Sequence, residues 1–233
     1  SKISKVINVP VDSFGVMDLQ YLECQLKKLA SCDKNRGRPI YGCFSAGSNV
    51  TGFLTDDVRV TKLLHKYGGW CFWDYASTAP HATIRMNPGS TYDTTANKDA
   101  LYFSGHKFLG GPQTPGVLVV KRHVFRNPVP HNAGGGTIFF VTPERHAYLT
   151  NIEEAQEGGT PGIVESIRLG ALLTLRHTMG IDSIVACEAE YTRKVLNSWG
   201  DVPGLIILGN ETTLRLPIIS FIIEHEESVR SIY

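Results

Sequence analysis

What most constrains this 233-residue sequence is the order of apolar runs and amphipathic stretches in its first 75 residues. Residues 5–11 read as a strand, and residues 17–29 carry Leu19, Leu22, Leu26 and Leu29 at the spacing of one helix face. A second short apolar run spans 41–46. Residues 56–67 then read as a helix, with Asp56 and Asp57 in the first turn and Lys66 in the last, as the helix dipole favours. Gly68 and Gly69 stop it, and 70–74 is a third strand. Strand, helix, strand, helix, strand implies a parallel sheet with helical crossovers. Strands buried on both faces suit the unbroken runs Tyr-Gly-Cys-Phe and Trp-Cys-Phe-Trp.

Further along, 100–103 and 116–120 read as short strands bracketing a Gly-rich loop. Residues 137–141 are another strand candidate, 163–177 a helix, and a further helix begins near Asp182; 205–208 and 216–223 are apolar runs near the end. The expected architecture is a three-layer α/β/α arrangement around a mostly parallel mixed sheet. Residues 1–180 form a large domain and 181–233 begin a small α+β domain.

Composition removes several classes of function. Lys and Arg number 23 against 22 Asp and Glu, a formal charge of +1, which argues against binding nucleic acid by phosphate neutralisation. No apolar run reaches the ~18 residues of a membrane span, and the first residues lack the pattern of a secretory signal. Five cysteines, an odd number without a CxxC pair, favour neither a disulfide framework nor a Cys-rich zinc site. A reducing, cytoplasmic compartment is the expectation. Cys43 and Cys71, inside apolar runs, are expected to behave as small hydrophobes.

In a parallel sheet, ligands bind beyond the carboxyl ends of the strands. Three such ends carry polar residues: Asn49 follows the second strand, Asp74 ends the third, and Lys107 follows the fourth within Ser104-Gly105-His106-Lys107 and the glycines 110 and 111. An amine, an acid and hydroxyl or imidazole donors are what pyridoxal phosphate needs. The amine forms a Schiff base, the acid faces the pyridine nitrogen, and the donors hold the phosphate. Each position also has a plain reading: Lys107 as a surface lysine, Asp74 and Asn49 as turn residues, Thr160 as an N-terminal helix cap, His81 as a loop histidine.

Ser104-Gly105-His106-Lys107 followed by Gly110, Gly111 and Pro112 resembles the lysine loop of fold-type I pyridoxal-phosphate enzymes, within them the class V aminotransferase and cysteine desulfurase superfamily. The resemblance implies that Lys107 is the Schiff-base lysine and that Ser104 and His106 bind the phosphate. It makes Asp74 the partner of the pyridine nitrogen and Asn49 a contact to the ring 3-oxygen. Ser77 takes the cofactor-facing position where desulfurases usually carry glutamine or histidine. Thr160, in Gly159-Thr160-Pro161, resembles the segment that reaches the cofactor of a neighbouring subunit, which implies a homodimer. The matches run in order from about Val6 to Ile223, so the chain reads as the middle of such an enzyme. The ring-stacking histidine would lie before Ser1, the desulfurase cysteine loop after Tyr233. The activity implied is a desulfurase-like lyase acting on an amino acid, with a class V aminotransferase or a non-catalytic scaffold as alternatives.

Overall fold

A computed structural model describes residues 5–32, 37–90, 92–210, 212–225 and 228–230. Helix α1 (Leu19–Ser31) begins where the Asp18 carboxylate accepts the Tyr21 N–H at 2.8 Å, and it buries Leu22 and Leu26. Strand β1 (Tyr41–Ser45) leads into α2 (Asp57–Lys66), capped in the same way by Asp56 on the Arg59 N–H and burying Val60, Thr61 and Leu64. Strands β2 (Trp70–Asp74) and β3 (Ala100–Ser104) follow, and β4 (Gly116–Val120) completes a four-stranded sheet in the order β1-β2-β3-β4. The first three strands are mutually parallel and β4 runs antiparallel to β3, giving the mixed, mostly parallel α/β sheet that the apolar runs predict.

The core lies between this sheet and the helices α1 and α2. Leu22, Leu26, Val60 and Leu64 meet Cys71, Trp73 and Leu101, all nearly inaccessible to solvent. Burial of each large apolar side chain contributes about 1.5–3 kcal/mol. The Trp73 indole N–H, which would be costly to bury unpaired, donates to Thr61 Oγ1 at 2.9 Å. On the opposite face, Tyr41, Tyr102 and Leu118 are exposed, so the strands are not buried on both faces as their unbroken apolar runs suggest; α1 and α2 cover one face only.

Beyond the sheet, β5 (Ile138–Val141) pairs with β6 (His146–Tyr148), and the short helix α3 (Ile152–Gln156) follows. Helix α4 (Ile163–Met179) meets α5 (Ile181–Trp199) at Gly180, whose φ of +79° is a backbone region that glycine enters without steric cost. Strands β7 (Leu205–Ile207), β8 (Phe221–His225) and β9 (Ser228–Arg230) form an antiparallel sheet. Among the described residues no helix is long and apolar enough to cross a membrane.

Four further expectations need correcting. Residues 5–11 form no strand: Val11 makes only an isolated bridge to Met17. Pro10 has no N–H to give a ladder, and its carbonyl instead accepts the Asp18 N–H at 2.9 Å at the start of α1. The final apolar run starts its strand only at Phe221, because Pro217 breaks the donor row and Leu216 N–H and Ser220 Oγ turn to the carbonyls of Gly52 and Val50. Cys43 is exposed, since its position in β1 points to the open face of the sheet. Finally, the cap of α4 is Gly162, so Thr160 does not cap it.

Candidate active site

The register of the parallel strands assembles the site. Ser45, Asp74 and Tyr102 are direct neighbours across β1, β2 and β3, so the carboxyl ends of these strands open at one edge of the sheet. Ser104 lies two residues beyond Tyr102 and shares its face, because side chains alternate along a strand. The 3₁₀ turn Gly105–Lys107 follows directly and carries His106 and Lys107 into solvent.

Asp74 is fixed by its own loop. One carboxylate oxygen, Oδ1, accepts the Ala76 N–H at 2.7 Å, while Oδ2 has no partner among the described residues. Beyond Asp74 the chain coils tightly, with Ala79 N–H on the Tyr75 carbonyl at 2.7 Å and Ala82 N–H on that of Thr78 at 3.0 Å. Ser77 Oγ donates to the Gly47 carbonyl at 2.9 Å and so joins this coil to the loop after β1. In that loop the Ser48 hydroxyl accepts the N–H groups of Val50 and Thr51, both at 3.1 Å, and Asn49 stands exposed at its tip.

The lysine loop is closely packed around a glycine. A Cβ on Gly105 would lie 2.6 Å from Thr114 Oγ1, 2.7 Å from the Pro115 carbonyl oxygen and 2.9 Å from Leu169 of α4. Phe108 N–H donates to the Gly105 carbonyl at 3.1 Å, and the Phe108 ring is buried against Phe103. This packing leaves Lys107 Nζ, Ser104 Oγ and the His106 ring without a protein partner among the described residues. Structure therefore brings Asn49, Asp74, Ser77, Ser104, His106 and Lys107 to one sheet edge. Thr160 is exposed on the loop before α4, where Gly159 N–H donates to the Gly135 carbonyl at 2.7 Å.

Sequence reading misses two groups of residues here. Tyr102 flanks Asp74, and its phenol is pushed above the ordinary tyrosine range by burial and then by the Asp74 charge. Its place follows from strand alternation once the register is known. Lys98, Asp57 and Tyr75, the residue that follows Asp74, form a largely buried network: Lys98 Nζ lies 2.9 Å from Asp57 Oδ2 and 2.8 Å from the Arg85 carbonyl, and the Tyr75 hydroxyl donates to the same carboxylate. Burial, followed by the Asp57 hydrogen bond and charge, pushes the Tyr75 phenol far up, so it remains a donor. Nothing in the linear sequence distinguishes that lysine from a surface one. His81 is held by α5, its Nδ1 2.7 Å from Glu188.

An amine and an acid at adjacent strand ends, with a hydroxyl and an imidazole beside the amine, fit a phosphorylated heterocyclic aldehyde. The profile of the Aminotransferase class-V family matches residues 5–230. The chain belongs to this family. It is 29% identical over 216 residues to a cysteine desulfurase of Synechococcus elongatus, covering 93% of this chain and 32% of that protein. With a cysteine desulfurase of Enterobacter sp. it shares 30% identity over 213 residues, 91% of this chain and 48% of the relative. Among solved structures, the cysteine desulfurase CsdA of Escherichia coli superposes with a TM-score of 0.76 at 22% identity, covering 92% of this chain and 49% of that one. The apo cysteine desulfurase of Thermococcus onnurineus gives 0.70 at 24% identity, over 91% and 49%. These likenesses show the fold of the family. The chain spans a third to a half of the length of these relatives.

Proposed function

We propose that this chain holds pyridoxal 5'-phosphate and serves a cysteine desulfurase-like enzyme acting on an amino acid. The observation that carries the reading is the Lys107 amine beside a strand end whose neighbour presents Asp74, the amine and one Asp74 oxygen both without a partner among the described residues. Similarity to cysteine desulfurases at 29–30% identity supports the same reaction class. When bound, the cofactor supplies an electron sink for a carbanion at the substrate α carbon.

The remaining chemistry belongs to side chains of this chain. Asp74 Oδ1 is pinned by Ala76, which leaves Oδ2 to accept a hydrogen bond from a protonated ring nitrogen. Ser104 Oγ and the His106 ring would hold the phosphate, and Asn49 the ring 3-oxygen. Lys107 Nζ would take a proton from the substrate α carbon and return it. Ser77, its hydroxyl donated to Gly47, keeps the Asp74 and Asn49 loops at a fixed separation beside the cofactor. Thr160, exposed on the loop before α4, would contact a second subunit in a homodimer. The reading places residues 1–180 in a large domain, 181–233 in a small one, and the protein in the cytoplasm.

The test is the protein carrying this chain, loaded with pyridoxal phosphate and given L-cysteine and a thiol reductant. A desulfurase yields alanine and sulfide in equal amounts, and Lys107→Ala abolishes both. Formation of a keto acid instead would assign an aminotransferase. Folded protein without a visible lysine–cofactor absorbance band would refute cofactor binding and favour a scaffold.

A further inference from the structure

Helix α4 touches both halves of the candidate site through one side chain. The half-buried Arg176 donates from Nε to the Pro80 carbonyl at 3.2 Å and from a terminal nitrogen to the Ala82 carbonyl at 2.6 Å. These carbonyls close the coil that begins at Asp74, and Asp74 itself caps its first N–H. The same guanidinium lies over the ring of Phe108, 5.9 Å from its centroid, and Phe108 is bonded directly to Lys107. Elsewhere on α4, Arg168 donates to the Pro112 carbonyl at the far end of the lysine loop, and Leu169 abuts Gly105. Glu188 of α5 holds His81 in the middle of the coil and faces Arg176 with a compensating charge.

From this geometry we propose that Arg176 is a positioning residue that sets Lys107 relative to Asp74. The inference rests on the functional reading above. A planar guanidinium with five donors can hold two carbonyls with one edge and stack on an aromatic ring with its face. Lysine has neither the fork nor the flat face. Arg176 thereby joins the coil carrying the acid to the loop carrying the amine, without touching cofactor or substrate. Loss of the guanidinium frees both carbonyls and the Phe108 ring, and the amine and acid then settle at a different separation. With pyridoxal phosphate bound, that separation would set how Asp74 meets the ring nitrogen while Lys107 holds the aldehyde carbon, and so the pH response of the visible band.

The experiment compares wild type with Arg176→Met, Arg176→Lys and the control Lys194→Ala, whose exposed ammonium pairs with Glu190 on α5. The readouts are the pyridoxal phosphate dissociation constant, the pH midpoint of the visible lysine–cofactor band and the urea midpoint. Arg176→Met should raise the dissociation constant about tenfold, the equivalent of one hydrogen bond to a charged group, and shift the pH midpoint of the band. Arg176→Lys, which keeps charge and a donor, should recover part of the affinity, and Lys194→Ala should match wild type. A lowered urea midpoint with unchanged dissociation constant and band would make Arg176 a structural residue and overturn the proposal. If Arg176→Met does not fold, Arg176→Lys decides, and wild-type values in that variant overturn it. A wild-type protein with no band refutes the functional reading and takes this inference with it, whereas a wild-type band that Arg176→Met leaves untouched refutes the inference alone.

Discussion

Lys98→Met should unfold this domain far more readily than any surface lysine change. Lys98 is 1% exposed, and its ammonium sits between Asp57 Oδ2 at 2.9 Å and the Arg85 carbonyl at 2.8 Å. Methionine matches the stem but removes the charge. Taking one partner from a buried ion pair costs about 3–5 kcal/mol, because the other charge is left unpaired. Here the Asp57 side chain keeps 25% of its surface in water and retains the Tyr75 hydroxyl, which moderates the loss. The Arg85 carbonyl, deprived of its donor, adds to it. The net expectation is about 2–4 kcal/mol, read as a lower urea midpoint at an unchanged denaturant slope. The double variant with Asp57→Leu should lose less than the sum of the two single changes, since the charges are removed together. Lys62→Met, which breaks an exposed pair with Asp93 at 3.0 Å, should leave the midpoint within measurement error. A Lys98→Met midpoint equal to that of Lys62→Met, or strictly additive single changes, would refute the view that this network holds the back of the Asp74 coil.

Three further expectations concern the same scaffold. His65 donates Nδ1–H to the Thr95 carbonyl at 2.6 Å and Nε2–H to Asp99 Oδ2 at 2.9 Å, and neither acceptor can donate in return, so the imidazolium satisfies both. The Asp99 hydrogen bond raises the pKa of His65 against the opposing effect of burial; in Asp99 burial pushes up, but hydrogen bonds from His65, Cys71 N–H and His123 outweigh it and hold the carboxyl low. The stabilisation from His65 is therefore complete below about pH 6.5 and lost as pH rises through its higher folded value, while that from Asp99 is lost only as pH falls below about 4. Urea midpoints of wild type and His65→Gln should differ most between these limits and converge in alkali; a difference independent of pH would contradict the assignment. Gly105→Ala should cost about 1–3 kcal/mol in urea unfolding, because the Pro115 carbonyl oxygen at 2.7 Å cannot yield, and a wild-type midpoint would show that the loop is looser than this. A thiol reagent should titrate four cysteines in native protein and a fifth only in denaturant, since Cys71 is buried and its thiol is pushed up to about 12 by burial; five fast thiols would contradict the packing of β2 on α2.

How much of this was legible in sequence depends on the range of the interaction. Helix α1 announces itself through leucine spacing, and β1, β2 and β3 through short apolar runs separated by a helix or loop, so the polar residues at their carboxyl ends could be placed on one edge from the sequence, although one face of the sheet is open to solvent. Strand β6 and helix α3, three and five residues long, carry too few apolar positions for a period to show. Residues 5–11 and 216–220 have apolar character, but prolines 10 and 217 withhold donors and the neighbouring groups are satisfied by loops. Arg176 reaches Pro80 and Ala82 across 96 and 94 residues, and no local pattern encodes such a contact.

The central claim is chemical: the amine at position 107, among all lysines of the chain, carries the cofactor. Borohydride reduction of protein loaded with pyridoxal phosphate, followed by proteolysis and mass spectrometry, tests it directly. The account predicts one phosphopyridoxyl group, on the peptide containing Lys107, and none after Lys107→Ala. Stoichiometric label on Lys98 or Lys121, at the opposite end of the β3–β4 pair, or no label on folded protein, would contradict it.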